Sequence, residues 1–179
     1  MIVYLIRHYI FTLTVLRRTK DPKSGGTSAT VEYEPTVSIL VPARNEEQVI
    51  GRLLQRTAEL TYPKDKTQVI VVDDASSDRT GQIADEYSNR YSFMEVLHRN
   101  QKDGGSTKTS AMNAGFKRAH GEIILCFDAD YYPQNDIVEK LVKPFADSSV
   151  GAVQGRVVVL NEPQNIITRL VALERIGGY

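Results

Sequence analysis

From residue 37 onward, short apolar runs and amphipathic stretches take turns along the chain. Val37-Ser38-Ile39-Leu40-Val41 is the first run, and Pro42 stops it. Runs of this length between turn residues read as strands. Residues 46–60 then place Val49, Ile50, Leu53 and Leu54 at helical spacing, and Tyr62-Pro63 ends that helix. Val69-Ile70-Val71-Val72 predicts a second buried strand, stopped by Asp73-Asp74. Ser77 or Asp78 is placed to cap a helix carrying Ile83, Ala84 and Tyr87. Residues 93–97 predict a third strand, and residues 108–119 a helix that turns Ala111, Met112 and Gly115 inward. Ile123-Ile124-Leu125-Cys126-Phe127 predicts a fourth strand, buried on both faces. Asp136 is placed to cap a helix with Val138, Leu141 and Val142; residues 151–160 read as a strand and 166–176 as a last helix.

Strands alternating with helices at this spacing imply βαβ units and an α/β fold with a mostly parallel, doubly wound sheet. In such sheets, ligands bind beyond the carboxyl ends of the strands. Three polar clusters each follow a strand: Pro42-Ala43-Arg44-Asn45-Glu46, Asp73-Asp74 and Asp128-Ala129-Asp130. They are therefore expected on one edge of the sheet.

The residue types suggest what that edge holds. Two carboxylates one residue apart repel each other unless a cation joins them, and Asp oxygens suit Mg²⁺ or Mn²⁺, which in turn hold phosphate. Asp128 and Asp130 read as a metal–diphosphate site, or more plainly as turn carboxylates ahead of Pro133. Asp73 and Asp74 can serve a ribose or base, or the entry turn of the next helix, with Asp74 preferred for the ligand. At Arg44, Asn45 and Glu46 the backbone N–H groups can receive an anion or a base edge, or Asn45 simply caps the helix. The segment from Lys102 to Lys108, with Gly104-Gly105-Ser106-Thr107, has neither P-loop nor Gly-x-Gly-x-x-Gly spacing. Lys108 can neutralise a diphosphate or stay solvated. His8, His98 and His120 are scattered and receive no role.

Composition narrows the partners. Lys+Arg and Asp+Glu balance at 22 each, and no basic stripe alternates with aromatic residues, so nucleic acid is not an expected partner. The one cysteine, Cys126, falls within the predicted buried strand and fits a reducing compartment. Residues 2–16 form an apolar block interrupted by Arg7 and His8 and followed by Arg17, Arg18 and Lys20. At about 20 residues for a full crossing, the block is short. It reads as an interfacial helix, the inner end of a longer spanning helix, or a packing helix. The basic cluster suits the cytoplasmic side of a membrane. The expected organisation is residues 1–18 as this apolar helix, 19–35 as a linker and 36–179 as the folded domain.

Four segments, VSILVPARNEE (residues 37–47), VVDDASSDRT (71–80), KTSAMNAG (108–115) and FDAD (127–130), resemble in order and spacing the family 2 glycosyltransferases. The third and fourth look most like the processive, membrane-bound branch that includes cellulose synthases. The resemblance implies the metal-dependent GT-A fold over residues 36–178 and inverting transfer of a sugar, with UDP as the expected nucleotide, to a hydroxyl of a saccharide or lipid-linked acceptor. It implies that the Pro42-Ala43 backbone and Glu46 border the nucleoside and that Asp74 contacts the base. Lys108 would lie near the diphosphate, Asp128 would face ribose or sugar, and Asp130, with Asp128, would hold Mg²⁺ or Mn²⁺. It also raises the membrane reading, with the cytoplasmic face of the cell membrane as the expected location. An oligomer is compatible with it.

One departure matters. An inverting reaction needs a general base. The family carries it as an Asp after the donor half, and the processive branch adds a later Gln-x-x-Arg-Trp. This chain has no Trp, and its last carboxylate, Glu174, lacks the family's surrounding motif. No catalytic base is assigned. The chain reads as a donor-binding half that stops before the acceptor site, expected to bind donor but transfer little. The alternatives are a nucleotide-sugar-binding or assembly fragment without turnover, and a sugar nucleotidyltransferase. The Gly-rich loop usual in the latter is absent after the first strand.

Overall fold

The computed structural model describes residues 33–100 and 107–155. The predicted helix of residues 2–16, the linker up to residue 32, Gly104-Gly105, the strand beyond residue 155, the last helix and Glu174 lie outside the described residues.

Four parallel strands form the sheet: β1 (Val37–Ala43), β2 (Thr67–Asp74), β3 (Met94–Arg99) and β4 (Ile123–Cys126). Their order is β3-β2-β1-β4. The connecting helices are α1 (Ile50–Ala58), α2 (Thr80–Arg90) and α3 (Lys108–Phe116), and α4 (Ile137–Val142) follows β4. The chain first winds outward from β1 to β3, then returns to place β4 on the other side of β1. That reversal is the switch point at which doubly wound sheets bind ligands. The expected α/β class and parallel sheet are what the structure shows.

The pleat explains both layers, because successive side chains leave a strand on opposite faces. Ile39, Val41, Val69 and Val71 face one side, where they meet Ile50, Leu53 and Leu54 of α1, Ala84 of α2 and Val138 of α4. Leu40, Ile70 and Val72 face the other, where they meet Ala111 of α3. In α1 the buried positions Ile50, Leu53, Leu54 and Thr57 follow the helical period. Each large apolar side chain so buried contributes about 1.5–3 kcal/mol.

Several boundaries differ from expectation. β1 runs through Pro42, which pairs with Val72, instead of stopping there. Leu40 accepts from Phe127 N–H on the β4 side, so Pro42, two residues on, turns its missing donor to the same side. The ladder to β4 ends at Leu40–Cys126, so no hydrogen bond is forfeited. β2 likewise carries Asp73 and Asp74 within it, paired with His98 and Arg99. β4 is not buried on both faces: Ile124 is half-buried and Cys126 exposed. The reason is coverage, since β4 ends the described sheet and α3 packs on β1 and β2. Asp136 stands at the N-cap of α4 without a capping bond; its carboxylate pairs with Lys140 at 2.8 Å. α3 stops at Phe116, and residues 151–155 form no strand. Among the described residues, no helix is long and apolar enough to cross a membrane.

Candidate functional site

The turns after β1 and β2 are tied to each other. Asn45 and Ala75 both have positive φ, 54° and 56°. Asn tolerates that region well, Ala poorly. Asn45 N–H donates to Ser76 Oγ at 3.0 Å, and its side-chain Oδ1 accepts from Ser77 N–H at 2.9 Å. Glu46 N–H donates to Thr80 Oγ1 at 2.7 Å and Glu47 N–H to Asp78 Oδ2 at 3.2 Å. Arg79 N–H returns a bond to Glu47 Oε2 at 3.1 Å. Two expectations change here. Asn45 does not cap α1, whose N-cap position is Val49 with no side-chain bond. Of the backbone N–H groups before α1 that the sequence suits to an anion, those of Asn45 and Glu46 are taken by the neighbouring turn.

Asp73 and Asp74 part company because the pleat sends them to opposite faces. Asp73 Oδ1 accepts from Ser76 N–H at 3.2 Å and so builds the turn, while Oδ2 lies 3.0 Å from His98 Nδ1. The other ring nitrogen of His98 lies 3.0 Å from Asp85. The bond to Asp73 holds the His98 pKa above its ordinary value, against partial burial and with help from Asp85. Asp74 instead pairs with Arg99 Nη1 at 2.6 Å, their side chains only 8% and 6% exposed. Arg99 Nη2 reaches on to Ser110 Oγ of α3 at 2.7 Å. Asp73 thus builds the turn after β2, and Asp74 lines a cleft.

Beyond β4 the alternation continues. Phe127 and Ala129 are each 5% exposed and point inward, which turns Asp128 and Asp130 outward together. Tyr131 N–H donates to Asp128 O at 2.9 Å and closes the turn, and its ring lies 5.1 Å from that of Phe127. Lys108 Nζ, from the start of α3, pairs with Asp128.

These parts surround a cleft of about 320 Å³ at the carboxyl edge of β1, β2 and β4. Its walls are Pro42, Ala43, Arg44 and Glu46 on one side, Asp74, Lys108 and Ala111 on another, and Asp128, Ala129 and Asp130 at the end. Each candidate from the sequence, Pro42, Ala43, Glu46, Asp74, Lys108, Asp128 and Asp130, lines this one space. Sequence reasoning passed over Arg99, which pairs with Asp74, and Ser110, which accepts from Arg99. The one signal in the sequence was position, since Arg99 follows the third predicted strand on the same sheet edge; its register with Asp74 is seen only in the structure. A larger recess of about 520 Å³ beside β3 and α3 contains none of these carboxylates.

The donor set can be tested for a cation. Among the described residues no group of three or more His, Cys, Asp or Glu could hold a metal ion, so these residues offer no closed cage. Two outward carboxylates fit a hard cation that keeps waters and takes its other ligands from phosphates. Of the three aspartates at the cleft, Asp74 is paired with Arg99 and Asp128 with Lys108, and among the described residues no ion pair involves Asp130. Mg²⁺ or Mn²⁺ shared with a diphosphate fits this set.

Comparison with known proteins agrees with the fold. Residues 38–175 match glycosyl transferase family 2. A probable glycosyltransferase, YdaM of Bacillus subtilis, is 41% identical over 143 residues, 79% of this chain and 34% of that protein. A beta-monoglucosyldiacylglycerol synthase of Synechocystis is 38% identical over 148 residues, 83% of this chain and 30% of that protein. The chain thus spans about a third of the length of these curated relatives. Among solved structures, the mannosyltransferase PcManGT of Pyrobaculum calidifontis, in complex with GDP-Man and Mn²⁺, superposes with a TM-score of 0.67. It is 30% identical, with 84% of this chain and 44% of that chain covered. The relatives are glycosyltransferases of several kinds and do not single out the processive branch. The chain belongs to glycosyl transferase family 2.

Proposed function

We propose that this family 2 chain binds a nucleoside-diphosphate sugar, with UDP as the nucleotide, together with Mg²⁺ or Mn²⁺ in the 320 Å³ cleft. The whole protein's reaction is then inverting transfer of the sugar to a hydroxyl of a saccharide or lipid-linked acceptor. The observation that carries this reading is convergence: residues from the ends of β1, β2 and β4 and the start of α3 meet around one space.

Roles follow from chemistry. The Pro42-Ala43 backbone and Glu46 border the nucleoside. Asp74, fixed by Arg99, accepts from the base. Asp128 faces ribose or sugar, Asp130 holds the cation, and Lys108 faces the diphosphate. When bound, the cation supplies Lewis-acid neutralisation of the charge that gathers on the leaving diphosphate. Binding and orienting the donor falls to the described residues, while no carboxylate among them is assigned to take the acceptor proton. The segments of residues 108–115 and 127–130 support the processive branch, and residues 2–20 support a place at the cytoplasmic face of the cell membrane. One relative is named for a glycolipid product, which fits an acceptor at that surface.

Calorimetry with UDP, and with GDP for comparison, in the presence and absence of Mn²⁺, tests the reading. The expected result is tighter UDP binding with Mn²⁺, and loss of that gain in Asp130→Ala. Equal affinity with and without metal, or an unchanged gain in Asp130→Ala, would overturn it.

A further inference from the structure

Residues 131–134, directly after Asp130, belong to no helix or strand, so their carbonyls have no ladder partners. The donors come from α1. Arg52 Nη2 donates to the carbonyl of Asp130 itself at 3.4 Å, a long bond. Arg56 donates through Nε and Nη2 to the carbonyl of Pro133 at 3.4 and 3.3 Å, and through Nη2 to Asn135 Oδ1. Glu59 fixes the far side of Arg56 at 2.6 Å. The two guanidinium carbons lie 5.6 and 4.9 Å from the ring centroid of Tyr132, within cation–π range. Arg52 and Arg56 are four residues apart, so one helix face presents both.

We infer that Arg52 and Arg56, stacked on Tyr132, are positioning residues that fix the turn carrying Asp128 and Asp130 for its cation. The inference rests on the proposed donor-binding reading. The core holds that turn from beneath, through Phe127 and Ala129, and α1 holds it from outside. A planar guanidinium can bridge a carbonyl and stack on a ring at once, which an ammonium cannot. Charge gives the idea its sharpest contrast. Two guanidinium groups near a metal site repel a divalent cation, so if they acted only through charge their removal would strengthen metal binding. If they position Asp130, removal weakens it.

The experiment uses the full chain and calorimetry with UDP, with and without Mn²⁺, on the wild type, on Arg52→Met/Arg56→Met and on Arg52→Lys/Arg56→Lys. Melting temperatures are recorded alongside. Both double variants are expected to lose most of the Mn²⁺-dependent gain in UDP affinity, about 10–100-fold, the range for residues that orient metal ligands. Their affinity for UDP without metal is expected to stay within about twofold of wild type, well below that loss. An unchanged Mn²⁺ gain in folded variants, a stronger gain, or an equal fall in affinity with and without metal would each overturn the inference. So would full activity of the Lys pair in preserving the gain. If the Met pair fails to fold, the Lys pair and Tyr132→Leu carry the same test. A wild-type chain that binds UDP without any Mn²⁺ gain would instead overturn the reading on which the inference stands, and the inference with it.

Discussion

Replacing Arg99 by Met is expected to destabilise the fold strongly, because it takes a guanidinium away from a buried carboxylate. Asp74 and Arg99 are 2.6 Å apart with side chains 8% and 6% exposed. Removing one partner of a buried pair costs about 3–5 kcal/mol, because the remaining charge loses its nearest counter-charge where water is excluded. Loss of the Ser110 contact adds up to about 1.5 kcal/mol, the net worth of an ordinary hydrogen bond. Since small domains hold about 5–15 kcal/mol in all, this is a large share. Removing both charges is a different matter, because buried pairs replaced by apolar or neutral groups of similar shape often cost little. Asp74→Asn/Arg99→Met should therefore be more stable than Arg99→Met alone, by about half of the single loss or more. Urea unfolding followed by far-ultraviolet circular dichroism at pH 7 measures both. A loss under about 1 kcal/mol in Arg99→Met, in the range of surface ion pairs, would refute the reasoning. A double variant no more stable than the single would refute it as well.

His98 gives a pH signature: its raised pKa in the fold means that its charged form is stabilised by Asp73 and Asp85. That contribution is fully present below about pH 6.5, the unfolded value, and is lost as pH rises through the higher folded value. The stability gap between wild type and His98→Gln should shrink over that rise, and a constant gap across the titration would count against it. Gly121→Ala should cost about 1–3 kcal/mol, because the added Cβ would stand 2.4 Å from Ser38 N and 2.6 Å from the Val37 carbonyl carbon, both backbone atoms of β1. Gly151→Ala, with nothing within 4 Å, is the control and should stay within about 0.5 kcal/mol; thermal melts compare the two.

What could be read from sequence was whatever depends on local pattern. The Val/Ile runs of β1 and β2 announced strands, and Ile50, Leu53 and Leu54 announced the inner face of α1. Order along the chain then placed Pro42, Asp74 and Asp128 on one edge, since each stands where a parallel strand ends. What depends on register between distant strands was not legible. Nothing near Asp74 in sequence indicates that residue 99 lies beside it, because that pairing follows from β2 lying next to β3. Asn45 was open to the same error. Its position before a helix suggests a cap, but the turn after β2 comes close enough to take both its N–H and its side chain. Cys126 looked buried because an apolar run does not say which of its strands ends the sheet.

The cleft's two ion pairs differ in a way that bears on how a donor would enter. Asp74–Arg99 is buried and tied further to Ser110, so breaking it leaves groups with no water to replace the partner. Lys108–Asp128 is open, with side chains 65% and 62% exposed, and pairs so exposed are worth about 0–1 kcal/mol. Lys108 can therefore exchange Asp128 for a diphosphate at little cost, and Asp128 is then released toward a cation or hydroxyl. Asp130, which takes part in no ion pair among the described residues, needs no such exchange. On the proposed donor-binding reading, the end of the cleft that takes the base is thus set before any ligand arrives, while the end that takes phosphate holds its charges in a loose internal arrangement. A diphosphate with its cation brings two opposite charges that match Lys108 and the two aspartates together. Either one alone would satisfy one side and leave the other unbalanced, which favours their binding as a unit.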